Sequence, residues 1–163
     1  MQRREAEEYI LRYRDMVFRI AFQYFKNPHD ADDITQIVCL KLLGAKKEFD
    51  GEDHVRHWLV RVTINECKRL VRAPFFTRQV PLEEYMQDIQ MEEPEEQTLF
   101  AEVMRLPEKY RIVVHLFYYE DFSVREISEW LNISESAVTT RLSRARERIR
   151  EHLEADGREC EEL

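Results

Sequence analysis

Residues 123–150 have the sequence SVREISEWLNISESAVTTRLSRARERIR, and this stretch decides the fold of the C-terminal part of the chain. Ser123 and Glu126 have the spacing of a capping box, in which the serine oxygen accepts a backbone N–H and the glutamate reaches back to the cap. Ser134 predicts the N-cap of a second helix after a short turn at residues 131–133. Apolar positions at helical spacing supply the buried faces of both helices: Ile127, Trp130, Leu131, Val138, Leu142, Ala145 and Ile149. Two short helices and a tight turn predict a helix-turn-helix.

The second of these helices carries small hydroxyl side chains first and arginines later. A recognition helix places its N-terminal residues against base edges in the major groove, where small side chains permit close approach, and arginines further along reach phosphates or guanine edges. The residues with this character are Ser136, Thr139, Thr140, Arg141, Arg144, Arg146, Arg148 and Arg150. The pattern alone leaves a second interpretation open, a three-helix core with a solvated basic face.

The composition of the whole chain favours helices. Only three of its 163 residues are glycine, and hairpins, phosphate loops and strand-rich sandwiches depend on glycine. The formal net charge of −8 seems to oppose nucleic-acid binding, but it is unevenly spread. Residues 1–75 carry +2 and residues 108–150 carry +1, whereas residues 76–107 carry −6 and residues 151–163 carry −5. The charge therefore does not exclude a DNA-binding protein.

The first 75 residues have the periodicity of three helices. An apolar stripe runs from Ala6 to Phe25 and stops at Asn27-Pro28, because proline disfavours the helical conformation of the residue before it. A second helix is predicted to start near Asp30, with Asp32 and Asp33 in its first turn, where the helix dipole favours acids. These acids also admit a metal or acid–base interpretation, although the chain nearby has no partner ligand at a suitable spacing.

The third helix is predicted after a turn at residues 49–51, with Asp53 as its N-cap and an end at residues 72–74. It mixes cations with an aromatic and an amide, a combination that suits single-stranded DNA because bases stack on rings and phosphates meet cations. The residues concerned are Arg56, Trp58, Arg61, Asn65, Lys68, Arg69 and Arg72. A tryptophan at helical spacing is also typical of a core, so both interpretations of Trp58 stay open.

Several classes of protein find no support in the sequence. The three cysteines, Cys39, Cys67 and Cys160, form no C-x-x-C pair and indicate reduced thiols. The N-terminus lacks a signal-peptide core, and no apolar stretch is long enough to span a bilayer. No phosphate loop, metalloprotease motif or nucleophile elbow occurs. We therefore expect a cytoplasmic protein with no membrane insertion, no catalytic residues, no metal and no cofactor.

Four stretches resemble, in order, motifs of bacterial sigma factors of the extracytoplasmic-function (ECF) group, the smallest branch of the sigma-70 family. Residues 30–36 (DADDITQ) are similar to the family's Asp-Ala-acid-Asp-apolar-x-Gln signature. Residues 57–65 (HWLVRVTIN) are similar to its Trp-Leu-x-Arg-Ile-Ala-x-Asn stretch. Residues 106–111, with Leu106, Pro107 and Arg111, match the opening of its C-terminal domain, and residues 137–146 look like its recognition helix. The resemblance covers roughly residues 8–72 and 95–153.

The resemblance implies an all-α protein with two small helical domains joined by a flexible linker. Residues 1–75 would form a sigma2-like domain that binds core RNA polymerase and melts the promoter's minus-ten element. Residues 76–94 would be an acidic linker, and residues 95–153 a sigma4-like helix-turn-helix domain that reads the minus-thirty-five element. Residues 154–163 would be an acidic tail.

The resemblance also implies roles for individual residues. The clamp helices of the polymerase largest subunit would meet Asp30, Asp33 and Gln36. A flipped base of the minus-ten element would be captured by the loop near residues 49–56 and by Trp58, Arg61, Asn65, Lys68 and Arg69. The minus-thirty-five element would be read by Ser136, Ala137, Thr139, Thr140, Arg141, Arg144 and Arg146. Because Ala137 and Thr139 depart from the residues usual there, the promoter sequence is not carried over from relatives.

In relatives an anti-sigma protein masks these surfaces until a signal arrives. The resemblance therefore implies an anti-sigma partner and a stress or envelope-signal regulon. The alternative is a stand-alone helix-turn-helix regulator whose N-terminal helices sense or dimerise. Such a regulator would bind duplex DNA tightly without polymerase, which a sigma factor of this kind is not expected to do.

Overall fold

The structure is a computed structural model that describes residues 1–73 and 94–157, with side chains from residue 98 onward in the second range. The chain divides into two compact units, Met1–Val80 and Pro81–Leu163. All regular secondary structure in the described ranges is helical, which confirms the predicted all-α fold with two helical units. The predicted acidic linker lies outside the described residues except at its last position, residue 94.

The first unit contains α1 (Arg3–Phe25), α2 (Pro28–Leu43) and α3 (Glu52–Val71). Both α2 and α3 pack on α1 and on each other. The apolar stripes predicted from the sequence meet in one core, whose largest fully buried side chains are Val17, Ile20, Ile34, Val38, Leu42, Val55, Val60 and Ile64. Burial of each such side chain stabilises the fold by about 1.5–3 kcal/mol. The core therefore determines which face of each helix is left exposed to solvent.

Two predicted helix starts were wrong. Helix α2 begins at Pro28 rather than near Asp30, because the Asn27 side chain accepts the backbone N–H groups of His29 and Asp30, at 2.9 and 3.4 Å. Proline fits the first helical position, since its missing N–H has no helical partner there. Asp32 and Asp33 therefore lie beyond the first turn, and both are exposed.

The predicted cap of α3 was also wrong. Gly51 occupies the N-cap with φ of +86°, and no side chain caps the helix. A left-handed φ favours glycine because other residues place Cβ against the backbone there. Asp53 lies instead inside the first turn, beside Glu52.

A buried carboxylate ties α2 to α3. The Glu66 side chain is 6% exposed, and it accepts hydrogen bonds from Lys41 of α2 and from Arg69 one turn further along α3, at 2.7 Å for Arg69 Nη2. Burial by itself would raise the pKa of Glu66, but the hydrogen bonds from Lys41 and Arg69 outweigh it and hold the pKa below its usual value. Sequence reasoning missed this group, because a lone glutamate on a helix normally faces water.

Replacing Glu66 with glutamine is expected to destabilise the α2–α3 packing by about 1–3 kcal/mol at neutral pH, because Lys41 and Arg69 lose a charged acceptor. A carboxyl whose pKa is lowered by folding stabilises the fold above its unfolded pKa, and that stability is lost as the pH falls through the folded value. The Glu66→Gln variant should therefore show less acid destabilisation than wild type. Native-state hydrogen exchange of α2 and α3 at neutral and acidic pH measures both effects.

The exposed Asp53→Asn change on the same helix provides the matched control. Equal exchange protection in wild type and Glu66→Gln at neutral pH would show that Glu66 does not stabilise the helix pair.

The second unit contains α4 (Pro94–Arg105), α5 (Glu108–Val114), a π-helical segment (His115–Tyr119), α6 (Val124–Leu131) and α7 (Glu135–Ala155). Helix α7 packs on α4, α5 and α6. Its buried side chains are Val138, Leu142, Ala145, Ile149 and Leu153, which include all four predicted from the sequence. The helix reaches Ala155, so it extends into the first residues of the predicted tail.

The helix-turn-helix caps form as the sequence predicts. The Glu126 N–H donates to Ser123 Oγ at 3.1 Å, and the Ser123 N–H donates to Glu126 Oε2 at 3.0 Å. Ser134 Oγ accepts the N–H of Ala137 at 3.0 Å and caps α7. Asn132 makes the turn between the helices with φ of +55°, a conformation that asparagine tolerates better than most residues.

A buried arginine accounts for the spacing of Leu106, Pro107 and Arg111. Arg111 is 4% exposed, and its Nη1 donates to the backbone oxygen of Leu106 at 2.8 Å. Pro107 occupies the N-cap of α5, so the guanidinium closes the junction between α4 and α5. Burial lowers the pKa of Arg111 to about 10, which leaves it charged at neutral pH.

Among the residues that the structure describes, none of the helices combines the length and the apolar character needed to cross a membrane.

Candidate nucleic-acid interface

The residues predicted to read duplex DNA lie on the solvent side of the first half of α7. Ser136, Thr139, Thr140 and Arg144 are exposed, and Ala137, Arg141 and Arg146 are half-buried at the margins of that face. Thr139 Oγ1 donates to the backbone oxygen of Glu135 at 3.0 Å, so its methyl group is left toward solvent. The helix thus presents small side chains in its first turns and cations further along, the order that major-groove reading requires.

Two tyrosines from the preceding helices hold arginines on the two flanks of α7. On one flank the hydroxyl of Tyr110 bonds to Arg144, and the guanidinium carbon of Arg148 lies 4.9 Å from the Tyr110 ring centre. Burial by itself would raise the pKa of Tyr110, but Arg144 and neighbouring cations outweigh it and lower the pKa. On the other flank Arg146 Nη1 donates to the hydroxyl of Tyr118 at 2.6 Å.

Sequence reasoning missed both tyrosines. Tyr118 and Arg146 are 28 residues apart, and no spacing rule pairs them. The hydroxyl of Tyr118 gave no distinguishing signal, because the same run, residues 112–119, also holds His115 and Tyr119.

The residues predicted to bind the minus-ten strand share one side of α3, opposite its buried face. Arg61, Asn65 and Arg69 are exposed, and Trp58 and Lys68 are half-buried. The structure therefore places Trp58 at the margin of the core rather than inside it. Trp58, Arg61 and Asn65 lie three and four residues apart, and Lys68 and Arg69 follow Asn65 at three and four, so the side chains lie along one face.

The loop before α3 contacts that same face through aromatic rings. The Phe49 ring lies edge-on to Trp58 and to His54, with centroids 5.5 and 5.2 Å apart. The backbone N–H of Asp50 donates to His54 Nδ1 at 3.0 Å, which fixes the last residues of the loop against the helix. An aromatic cluster beside Arg61 and Asn65 offers stacking surface next to hydrogen-bonding groups, as capture of an unpaired base requires.

Helix α1 fixes the start of α3 from the other side. Glu52 accepts from the Tyr13 hydroxyl and pairs with Arg12, whose Nη1 lies 2.7 Å from Glu52 Oε1. Burial and the hydrogen bond to Glu52 raise the pKa of Tyr13 to about 12. These contacts hold the end of the loop in one position before any ligand binds.

The three residues predicted to bind polymerase line one groove between α2 and α3. The groove has a volume of about 540 Å³, and Asp30, Asp33 and Gln36 form its α2 wall. Leu40, which is 67% exposed, continues that wall, and Arg69 lies opposite. A large exposed apolar side chain at the end of a polar groove wall is typical of a protein interface. The structure thus places Arg69, predicted from the sequence to contact DNA, beside the polymerase candidates as well.

One further polar cluster lies in the second unit, where Glu102, His152 and Asp156 come together. The Glu102 side chain is 3% exposed and lies 2.8 Å from His152 Nδ1. Arg105 Nη1 lies 3.0 Å from the other Glu102 oxygen and 3.4 Å from His152 Nε2. The Arg105 guanidinium can only donate hydrogen bonds, so His152 Nε2 accepts from it. Nδ1 therefore carries a ring proton and donates to Glu102. Hydrogen bonds among Glu102, Arg105 and His152 join α4 to α7, and a cation at His152 Nδ1 would displace the Nδ1 proton beside the positive charge of Arg105.

Comparisons with known proteins match both units. Residues 9–73 match the family Sigma-70 region 2, and residues 97–149 match the family Sigma-70, region 4. The chain is 28% identical to the ECF RNA polymerase sigma factor SigW of Bacillus subtilis, over 86% of this chain and 84% of that protein. It is 30% identical to the RNA polymerase sigma-E factor of Streptomyces coelicolor, over 93% of this chain and 87% of that protein.

Solved structures share the fold. The sigma factor RpoE in complex with the anti-sigma factor NepR from Bartonella quintana superimposes with a TM-score of 0.67 at 18% identity, over 92% of this chain and 97% of that one. CnrH in complex with the cytosolic domain of CnrY gives a TM-score of 0.68 at 24% identity, over 95% and 91% of the two chains. With both family regions present in order and a relative at 30% identity matched over 87% of its length, the protein belongs to the sigma-70 family as an ECF sigma factor, a transcription initiation factor and not an enzyme.

Proposed function

We propose that the two units divide the work of a sigma factor in the way their surfaces suggest. The α2–α3 groove docks on core RNA polymerase at the clamp helices of its largest subunit. The loop before α3 and the exposed face of α3 trap the melted minus-ten strand, and α7 reads the minus-thirty-five element as duplex. The observation that carries the proposal is the groove that gathers Asp30, Asp33 and Gln36 beside the exposed Leu40.

The mechanism is binding without covalent chemistry. Contacts of α7 with duplex DNA would position the protein on the upstream promoter element. The α3 surface would lower the free energy of the melted strand by binding it. Extruding a base costs a few kcal/mol, so a site that stacks and hydrogen-bonds that base offsets the cost. The ring cluster of Phe49, His54 and Trp58 supplies stacking surface, and Asn65 supplies an amide that can meet a base edge.

Selection of DNA by the reconstituted holoenzyme tests this division. Random duplex fragments bound by core polymerase plus the full chain should yield two conserved elements at a fixed separation. Arg144→Ala should alter enrichment of the upstream element, and Asn65→Ala that of the downstream one. A single element, or both elements responding to the same substitution, would contradict the proposed division of labour.

Replacing Asp33 with lysine is expected to weaken binding to core polymerase about tenfold, which corresponds to ~1.4 kcal/mol. The reversed charge would oppose a basic partner surface and reduce the association rate, and the defect should shrink at high salt. Binding of fluorescently labelled full chain to core polymerase at two salt concentrations measures it. The neighbouring Asp32→Lys change is the matched control, because Asp32 is exposed but does not line the groove. Equal losses for both substitutions would point to net charge rather than to the groove.

We also propose that an anti-sigma factor controls the protein. The superimposed sigma factor RpoE is bound to the anti-sigma factor NepR, and the superimposed CnrH is bound to the cytosolic domain of CnrY. A partner that masks the groove must exclude polymerase, so a purified partner should compete with core polymerase for the full chain. Simultaneous binding of partner and polymerase would contradict control by occlusion.

A further inference from the structure

Arg146 is held by the hydroxyl of a single tyrosine, Tyr118, on the flank of α7 opposite the one where Tyr110 contacts Arg144 and Arg148. It is half-buried on one margin of α7, and its Nη1 donates to the Tyr118 hydroxyl at 2.6 Å. The Tyr118 side chain remains 39% exposed, so this contact lies at the solvent edge of the second unit. A guanidinium has five N–H donors, and one bond to a hydroxyl leaves donors for a second acceptor.

The backbone that carries Tyr118 is itself fixed. Residues 115–119 form a π-helical segment, which carries one more residue per turn than an α-helix and so changes the direction of the side chains after it. The segment is closed by a buried pair, His115 Nε2 and Glu120 Oε1, at 3.1 Å, and by the Glu120 N–H donating to the His115 oxygen at 3.1 Å. The Tyr118 ring also packs edge-on against Phe117, with centroids 5.0 Å apart.

We propose that Tyr118 is a positioning residue that orients Arg146 toward a phosphate of the promoter duplex. The inference rests on the proposed function of α7 and adds a residue outside the helix-turn-helix to it. Arginine loses much rotamer freedom when it binds, and a side chain already held by a hydroxyl loses less. A phosphate is the expected acceptor because Arg146 lies far along α7, whereas the residues that approach base edges lie in its first turns.

A double-mutant cycle in the reconstituted holoenzyme tests the proposal. Affinity for a promoter fragment selected by that holoenzyme is measured for wild type, Tyr118→Phe, Arg146→Ala and the double variant. Arg146→Ala should weaken binding about tenfold and reduce the salt dependence by about one phosphate contact. Tyr118→Phe keeps the ring and removes only the hydroxyl, and it should weaken binding about three- to fivefold. In the Arg146→Ala background Tyr118→Phe should have no further effect.

Tyr119→Phe is the matched control, because Tyr119 is an exposed tyrosine on the same segment whose ring stacks on His115. Thermal unfolding and polymerase affinity of each variant report folding and assembly separately from DNA binding. The order of bases preferred in the selected element should be the same with and without the hydroxyl, since a phosphate carries no sequence information.

The outcomes separate this inference from the proposed function. If Arg146→Ala weakens promoter binding but Tyr118→Phe leaves the affinity unchanged, Tyr118 has no positioning role, and the assignment of α7 to DNA still stands. An equal loss from Tyr118→Phe in both backgrounds shows that the hydroxyl acts independently of Arg146. Tighter binding by Tyr118→Phe shows that the tyrosine withholds the arginine from DNA. No effect of Arg146→Ala removes that residue from the DNA face and overturns the inference with it.

Discussion

Replacing Arg141 or Arg144 with alanine is expected to weaken binding of the holoenzyme to its upstream promoter element by about 1–3 kcal/mol each, roughly 5- to 150-fold. An arginine that makes two bonds to a guanine edge is the commonest specific contact in the major groove, and no alanine contact replaces it. Arg141 is half-buried and Arg144 is exposed, and they follow the small residue Thr140 by one and four positions on α7. The loss should concentrate on particular bases of the element.

Equilibrium binding to the selected promoter fragment and to single-base variants measures the effect. Arg150→Ala is the matched comparison, because Arg150 is an exposed arginine of the same helix after residues 136–146, and a phosphate contact there would weaken binding equally for every base sequence. Because Arg144 also bonds to Tyr110, thermal unfolding of Arg144→Ala must accompany the binding data. Unchanged affinity and an unchanged salt dependence in both variants would show that another face of the unit meets DNA.

The second large effect is expected for Asn65→Ala, which should reduce the rate of open-complex formation about tenfold or more while polymerase binding is retained. A buried base edge that loses an amide partner costs about 1–3 kcal/mol, and that penalty applies only after the strand is melted. Rapid-mixing measurements of promoter opening detect it. A template that carries a preformed bubble at the minus-ten element should recover much of the rate, because the cost of unpairing is already met.

Asn65→Gln provides the control, since it keeps the amide and shifts its position. Loss of polymerase binding in Asn65→Ala would refute its assignment to the promoter strand. So would an equal defect on the paired and the bubble template, because capture of a melted base predicts a difference between them.

The helix-turn-helix could be predicted because its signals are local. The Ser123–Glu126 capping box, the Ser134 cap and the apolar spacing of α7 act within a few residues, so the sequence carries the whole pattern. The helix starts in the first unit were harder, since competing local caps lie close together. Asn27 with Pro28 takes precedence over Asp30 for α2, and Gly51 takes precedence over Asp53 because the chain needs a left-handed φ at that point.

The sequence predicts which residues share a helix face, but it does not predict which other side chains hold those residues in place. Helical spacing places Asp30, Asp33 and Gln36 on one side of α2, and the structure shows that they line one groove. Whether an exposed arginine is held by another side chain depends on contacts between distant segments. Helical spacing already pairs Arg69 with Glu66, three residues apart on α3, but the bonds of Lys41 to Glu66 and of Arg146 to Tyr118 arise only from packing.

The uneven charge of the chain predicts weak binding to DNA outside the holoenzyme. The stretch 76–107 carries −6, while the regions that contain α3 and α7 are mildly positive. Acidic residues tethered near a basic surface oppose attraction to phosphates. The net charge of −8 is therefore an average over acidic and mildly basic regions, and the charge of each region decides what its surface can bind.

Promoter-specific transcription by core RNA polymerase supplied with the purified full chain tests the central claim most directly. The account predicts a discrete run-off transcript from templates that carry both selected elements. That transcript should be lost when either element is scrambled, and the free chain should bind the same duplex only weakly. Tight binding to duplex DNA by the chain alone, with no promoter-specific transcript from the mixture with core polymerase, would contradict it.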